Sequence, residues 1–162
     1  DIFRRYGEER QARKLAKAIC AVRREERFTT TTHFADFIAG LMPRRGRIHP
    51  ATKVFQALRI AVNDELGELK RALPNLVALL GGGGRLAVIS FHSLEDRLVK
   101  QFIKEEAGRG AGRNLTKRVI TPSMEEVRMN PRARSAKLRI FEKTYDGSHA
   151  HNKTSSDRPG DG

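Results

Sequence analysis

Apolar residues recur along the first quarter of the chain at intervals of three and four. Ile2, Phe3 and Tyr6, then Leu15, Ile19 and Val22, stand between Arg, Lys and Glu, which predicts an amphipathic helix over residues 1–27 with a break at Gly7. Thr29 to Thr32 offer hydroxyl caps for a short second helix, whose stripe is Phe34, Phe37, Ile38 and Leu41 and which stops before Pro43. Pro50 suits a helical first turn. From Ala51 the set Val54, Phe55, Leu58, Ala61, Val62, Leu66 and Leu69 holds helical period for about five turns. Pro74 lacks an amide hydrogen, so it is expected to kink or end that helix, with "NLVALL" as a short apolar turn running into Gly81–Gly84.

The pattern then changes. "RLAVISF" is a continuous apolar run between glycines and polar residues, the signature of an interior strand covered on both faces. Ser93 and Asp96 have cap spacing, and Leu94, Leu98, Val99, Phe102 and Ile103 form the stripe of the next helix. "GRGAGRN" reads as a flexible basic linker, "TKRVIT" as a strand, and Ser123–Met129 as a short capped helix. In "SAKLRIFEKT", Ala136, Leu138 and Ile140 alternate with Lys137, Arg139 and Lys143, which predicts a half-exposed strand. Two such late strands suggest an antiparallel pair at a sheet edge, in an α/β fold. From Asp146 the chain has no apolar face and reads as disordered.

Charge narrows the partner. The net charge is +13, and the last seventeen residues add nothing to it, because Asp146, Asp157 and Asp161 outweigh Lys153 and Arg158. Basicity of this size attracts polyanions, nucleic acid first, with an acidic membrane surface or plain solubility as alternatives. Cys20 is the sole cysteine, which points to a reducing compartment and a buried structural thiol instead of a nucleophile. No apolar run approaches the ~18 residues of a membrane span and no signal peptide leads the chain, so a cytoplasmic location is expected.

Four stretches carry candidate chemistry. "GGGG" follows a helix and precedes a strand, the reverse of the strand–glycine–helix order of a phosphate loop, and reads as a helix stop with a tight turn. Residues 44–59 hold Arg44, Arg45, Arg47, Lys53 and Arg59 with no carboxylate; these can clamp phosphates, while His49 or Gln56 touches a base, the alternative being a loop whose charge serves only solubility. "NPRARSAKLR" adds Arg132, Arg134, Lys137 and Arg139. In an extended chain Arg132 and Arg134 point the same way, as a basic edge along a phosphate backbone or as protection of an exposed strand edge.

"ISFHSLEDR" is the fourth. Ser93 has no flanking glycine, which excludes a nucleophile elbow, and His92 with Glu95 is too few ligands for a metal, so none is expected. Capping accounts for Ser93 and Asp96. His92 and Glu95 remain as substrate-side candidates, because open α/β sheets hold their ligands at the carboxyl ends of their strands.

Taken together, "YGEERQARKLAKAI", "HPATKVFQALRIAVNDELGEL", "GGRLAVISFHSLEDRLVK" and "NPRARSAKLR" resemble the RsmH (MraW) family of bacterial small-subunit ribosomal RNA methyltransferases, from about Tyr6 to Thr144. The resemblance implies S-adenosylmethionine-dependent methylation of the exocyclic amine of a cytosine in 16S rRNA within the small ribosomal subunit. It implies a class I, Rossmann-like methyltransferase sheet carrying a mostly helical inserted substrate-recognition domain. On that map residues 1–48 are part of the insertion, 49–145 the C-terminal part of the sheet domain, and 146–162 a tail. The family's glycine-rich cofactor loop and ribose-binding carboxylate have no counterpart here, so this is expected to be a C-terminal fragment without cofactor-binding residues and inactive alone. His92, Glu95 or Asp96 would assist by hydrogen-bonding the base or receiving a proton. A non-enzymatic RNA-binding or ribosome-associated module is the alternative.

Overall fold

The computed structural model describes residues 1–42 and 48–145. The chain divides into two compact units, Asp1–Leu69 and the portion from Lys70 on.

The first unit is helical: α1 (Ile2–Arg5), α2 (Ala12–Glu25), α3 (Thr31–Leu41) and α4 (Ala51–Asn63), with the start of α5 (Glu65–Leu79). The break after α1 comes at Gly7, as the sequence suggested. A Cβ there would stand 2.7 Å from the Phe3 carbonyl oxygen and 3.0 Å from that of Lys53, so only glycine lets this backbone approach α4. Glu8 follows with φ of 47°, turning the chain into α2. Thr30 caps α3, its hydroxyl oxygen accepting from the His33 amide at 3.1 Å. Leu15, Ile38, Met42, Ala51 and Val54 form the core, and partly buried Phe34 and Phe55 pack on it edge to face with centroids 5.6 Å apart.

The five-turn helix expected from Ala51 is two helices. Asp64 takes a left-handed conformation (φ 48°, ψ 35°) and its amide closes α4 on the Ile60 carbonyl. Apolar periodicity is blind to a one-residue reversal, which aspartate tolerates better than most residues. Pro74 does not end α5 either. The helix runs to Leu79 through "NLVAL", with Leu73 and Val77 buried on one face holding it past the proline.

The second unit is built on a three-stranded sheet of order β1-β3-β2, with β1 (Arg85–Ser90), β2 (Gly112–Asn114) and β3 (Lys137–Lys143). β3 is antiparallel to both neighbours, Val88 facing Arg139 and Arg113 facing Glu142. Among the described residues β3, not β1, is therefore the middle strand. β1 alternates, with Arg85, Ala87 and Ile89 exposed and Ser90 buried. The expectation of an interior "RLAVISF" strand is not met within these residues, whose only partner for β1 is β3.

Three further expectations change. The expected linker "GRGAGRN" contributes β2, while "TKRVIT" makes a single bridge, Ile120 to Leu138. "NPRARS" is not extended: Pro131–Ser135 is a 3-10 helix following α7 (Met124–Met129), which Ser123 caps as expected. On β3 the buried residues are Arg139 and Phe141, the face read from the sequence as polar, while Leu138 and Ile140 are half-buried on the other. α6 (Ser93–Gly108), with Val99 and Ile103 buried, covers the sheet and supplies the carboxylate that lets Arg139 go inside. The glycine run is a tight turn, as expected. It extends the β1–β3 ladder through Gly83 N–H to Lys143 O and Lys143 N–H to Gly84 O, both 2.9 Å, and it lies against Tyr145. No described helix is long and apolar enough to cross a membrane.

Candidate functional site

β1 ends at Ser90, and α6 begins after two intervening residues, Phe91 and His92. The cap is formed by His92 and Glu95, not by Ser93 and Asp96. His92 Nδ1 accepts from the Glu95 amide at 3.3 Å, and Glu95 Oε2 accepts from the His92 amide at 3.2 Å and the Phe91 amide at 2.9 Å. This reciprocal box satisfies donors that a helix start leaves open, with imidazole in the place usually taken by a hydroxyl. Because Nδ1 accepts, the neutral ring carries its proton on Nε2. Nε2 lies 3.2 Å from Glu95 Oε1, near enough to pair if the ring is protonated but out of line for a hydrogen bond. Nε2 and the Ser90 hydroxyl are thus buried polar atoms without a hydrogen-bond partner among the described residues.

Asp96 does a different job. Its two oxygens accept from Arg139 Nε at 2.7 Å and Nη2 at 3.2 Å, and Lys137 Nζ is 3.7 Å away. The hydrogen-bonded Arg139 guanidinium holds the Asp96 carboxyl below its ordinary value against the opposing effect of burial, aided by the charges of Arg139, Lys137 and Lys100. This fork ties the first turn of α6 to the middle strand, so the turn bearing His92 and Glu95 is fixed on the sheet. The sequence contained both partners but no local signal linking them across 43 positions.

Several predicted contacts are reassigned. Arg44, Arg45 and Arg47 lie outside the described residues, as does the tail from 146. His49 Nδ1 accepts from the Ala51 amide at 3.2 Å, so this ring too helps start a helix. His49 and exposed Lys53 come together on a cavity of about 630 Å³ that Glu8, Glu9, Arg10 and Ile48 also line. Gln56 is half-buried. Arg59 is paired: the joint at Asp64 brings Glu65 to it in a fork of 2.7 and 3.1 Å, so the single-sign block is partly neutralised. Arg132 and Arg134 are exposed on either side of buried Ala133 and diverge instead of pointing together. Arg139 is 6% exposed and faces Asp96, not solvent.

The four glycines join α5 to β1, and a Cβ at Gly82 would stand 2.8 Å from Tyr145 Cα, so the turn is closed by its own chain.

The whole described sequence finds close relatives. "Ribosomal RNA small subunit methyltransferase H" of Coprothermobacter proteolyticus is 57% identical over 148 residues, covering 91% of this chain and 50% of that protein. Proteins of the same name from Elusimicrobium minutum and Chlamydia trachomatis are 51% and 50% identical, over 88% and 90% of this chain and 48% and 50% of their own lengths. The chain therefore spans about half the length of these curated relatives. With residues 1–144 matched by the MraW methylase family, the chain belongs to that family.

Proposed function

We propose that this chain is the C-terminal, substrate-side half of an S-adenosylmethionine-dependent enzyme that methylates the exocyclic amine of a cytosine in 16S rRNA, acting in the cytoplasm on the small ribosomal subunit. The match over residues 1–144 carries the reading, together with relatives that bear the ribosomal RNA methyltransferase name and are twice as long. Residues 1–48 belong to a helical recognition insertion and 49–145 to the distal end of a Rossmann-like sheet. The antiparallel order β1-β3-β2 supports that placement, since among the described residues β1 has a partner on one edge only and its other edge can receive further strands.

His92 and Glu95 are the substrate-side pair. With Nδ1 committed to the cap, His92 has Nε2 left as a donor and not a vacant base; that atom is buried in this structure, and once uncovered it would polarise an acceptor atom of the target ring, which makes the attached amine easier to deprotonate. The cofactor supplies the methyl group, and the residues that hold it lie in the other half of the protein. Arg132, Arg134, His49, Lys53 and Gln56 hold RNA from this half, with Arg44, Arg45 and Arg47, which lie between α3 and α4 in the sequence. Arg59 joins them where Glu65 releases it.

Titration calorimetry separates the halves. The 162-residue chain is expected to bind no S-adenosylmethionine and to methylate no small-subunit RNA, while the protein at its relatives' length does both. Stoichiometric binding by the chain overturns the division of labour, and a full-length protein that binds RNA without methylating it turns the reading toward a non-enzymatic module.

A further inference from the structure

The sheet does not end cleanly at β2. Leu115 N–H donates to Ile140 O at 3.0 Å, and Ile120 and Leu138 exchange bonds of 3.2 and 2.9 Å, so five residues advance on one side against two on β3. Residues 116–119 therefore form a wide bulge, in which Thr116 stays buried against β3 while Lys117 and Arg118 are exposed. Bulges cost ladder bonds, and here side chains replace them. The buried Thr116 hydroxyl accepts from the Ile140 amide at 3.0 Å and donates to Asn114 Oδ1 at 3.3 Å, while the Thr116 amide donates to that same Oδ1 at 2.9 Å. The bulge is a built feature, and what it holds outward is Lys117 and Arg118.

Both are exposed and neither has an ion pair among the described residues. That sets them apart from Arg85, Arg109, Arg113 and Arg139 of the same unit, each bound to a carboxylate. Residues 113–139 contain eight Lys and Arg against two Glu, so the surplus is local. Arg132 and Arg134 are part of it. Because Ile120 bridges Leu138, chain reach alone puts the Arg118 and Arg134 Cα atoms within about 27 Å of each other.

We infer that this bulged edge, with Arg132 and Arg134 of the 3-10 turn within about 27 Å of it, forms a docking surface for the phosphate backbone of an RNA strand, with Lys117 and Arg118 as the leading contacts. The inference rests on the RNA reading above and assigns it a place. Two exposed cations next to the anchored Thr116, without a protein carboxylate to neutralise them among the described residues, are what phosphate contacts require. A membrane fits less well. The apolar residues nearby, Met124 and Met129, sit on a six-residue helix with Glu125 and Glu126, too short and too acidic for an interfacial anchor.

The test uses the 162-residue chain and a short labelled single-stranded RNA, with affinity measured by anisotropy over a salt series. Lys117→Ala with Arg118→Ala is expected to weaken binding on the order of tenfold near ~0.1 M salt and to flatten the salt dependence by about 1.4, at ~0.7 for each phosphate no longer neutralised. Arg132→Ala with Arg134→Ala, on the exposed turn, repeats the measurement without touching the bulge. Unchanged affinity and slope in both folded variants overturn the inference. So does a first variant that self-associates while binding RNA normally, since the cations would then only guard the edge. Tighter binding to phosphatidylserine vesicles than to RNA, abolished by the same substitutions, also overturns it. An unsubstituted chain with no salt-dependent RNA affinity overturns the RNA reading itself, a result distinct from all of these.

Discussion

The two units treat their ion pairs differently. In residues 1–69 the core is wholly apolar, and the Arg59–Glu65 fork lies outside it with 58% of the arginine side chain exposed. In the second unit a fork of the same geometry occupies the covered face of the sheet, the Arg139 and Asp96 side chains keeping 8% and 14% exposure. One pair decorates a helix joint that apolar periodicity builds; the other joins α6 to β3. Equal bond lengths thus carry unequal weight, because water screens the first pair and barely reaches the second.

Breaking the inner pair should show the largest effect. Arg139→Ala strands a mostly buried carboxylate and is expected to cost about 3 kcal/mol in chemical denaturation. It should also change the response to acid. The Asp96 carboxyl is held low in the folded chain, so the pair's contribution is fully present above the ordinary aspartate value of ~3.9 and is lost as pH falls through the lower folded value. Stability of the unsubstituted chain should fall below about pH 4, and Arg139→Ala should flatten that fall; equal acid sensitivity in both would deny the pair its role.

The cap of α6 comes next. His92→Ala should cost about 1 kcal/mol, whereas His92→Asn keeps a side-chain acceptor for the Glu95 amide and should cost little. In the full-length protein both should lower turnover without changing cofactor affinity, since both lack Nε2. Full turnover in His92→Asn would leave this residue a cap only. The smallest effect belongs to the outer pair: Arg59→Ala should shift stability by less than ~0.5 kcal/mol, and a loss as large as that of Arg139→Ala would erase the distinction between the units.

How much could be read in advance differs between the units for the same reason. The helices of the first were legible, including the break at Gly7 and the Thr cap before α3, because one stripe of apolar residues repeats at helical spacing. What escaped was the reversal at Asp64, a single left-handed residue inside an unbroken stripe. In the second unit the strand at Lys137–Lys143 was legible but its faces were not. Alternation assigns Leu138 and Ile140 inward, and Arg139 lies inside only because Asp96 waits there. The candidate site shows the same limit. "FHSLEDR" announced a strand end and a helix start, but Ser93–Asp96 and His92–Glu95 spacings are the same, and only geometry shows which pair closes the cap.

The sequence by itself determined the family, the basic character, the helical stripes and the carboxyl-end position of His92 and Glu95, because these are properties of composition, motif and short-range spacing. Tertiary structure decided which cations remain free. Arg59, Arg85, Arg113 and Arg139 are each matched to a carboxylate, two of them by the same Glu142, while Lys117 and Arg118 are lifted away on a bulge. Charge is counted along the chain, but neutralisation occurs across a few ångströms of space, and those neighbours exist only once the strands have paired.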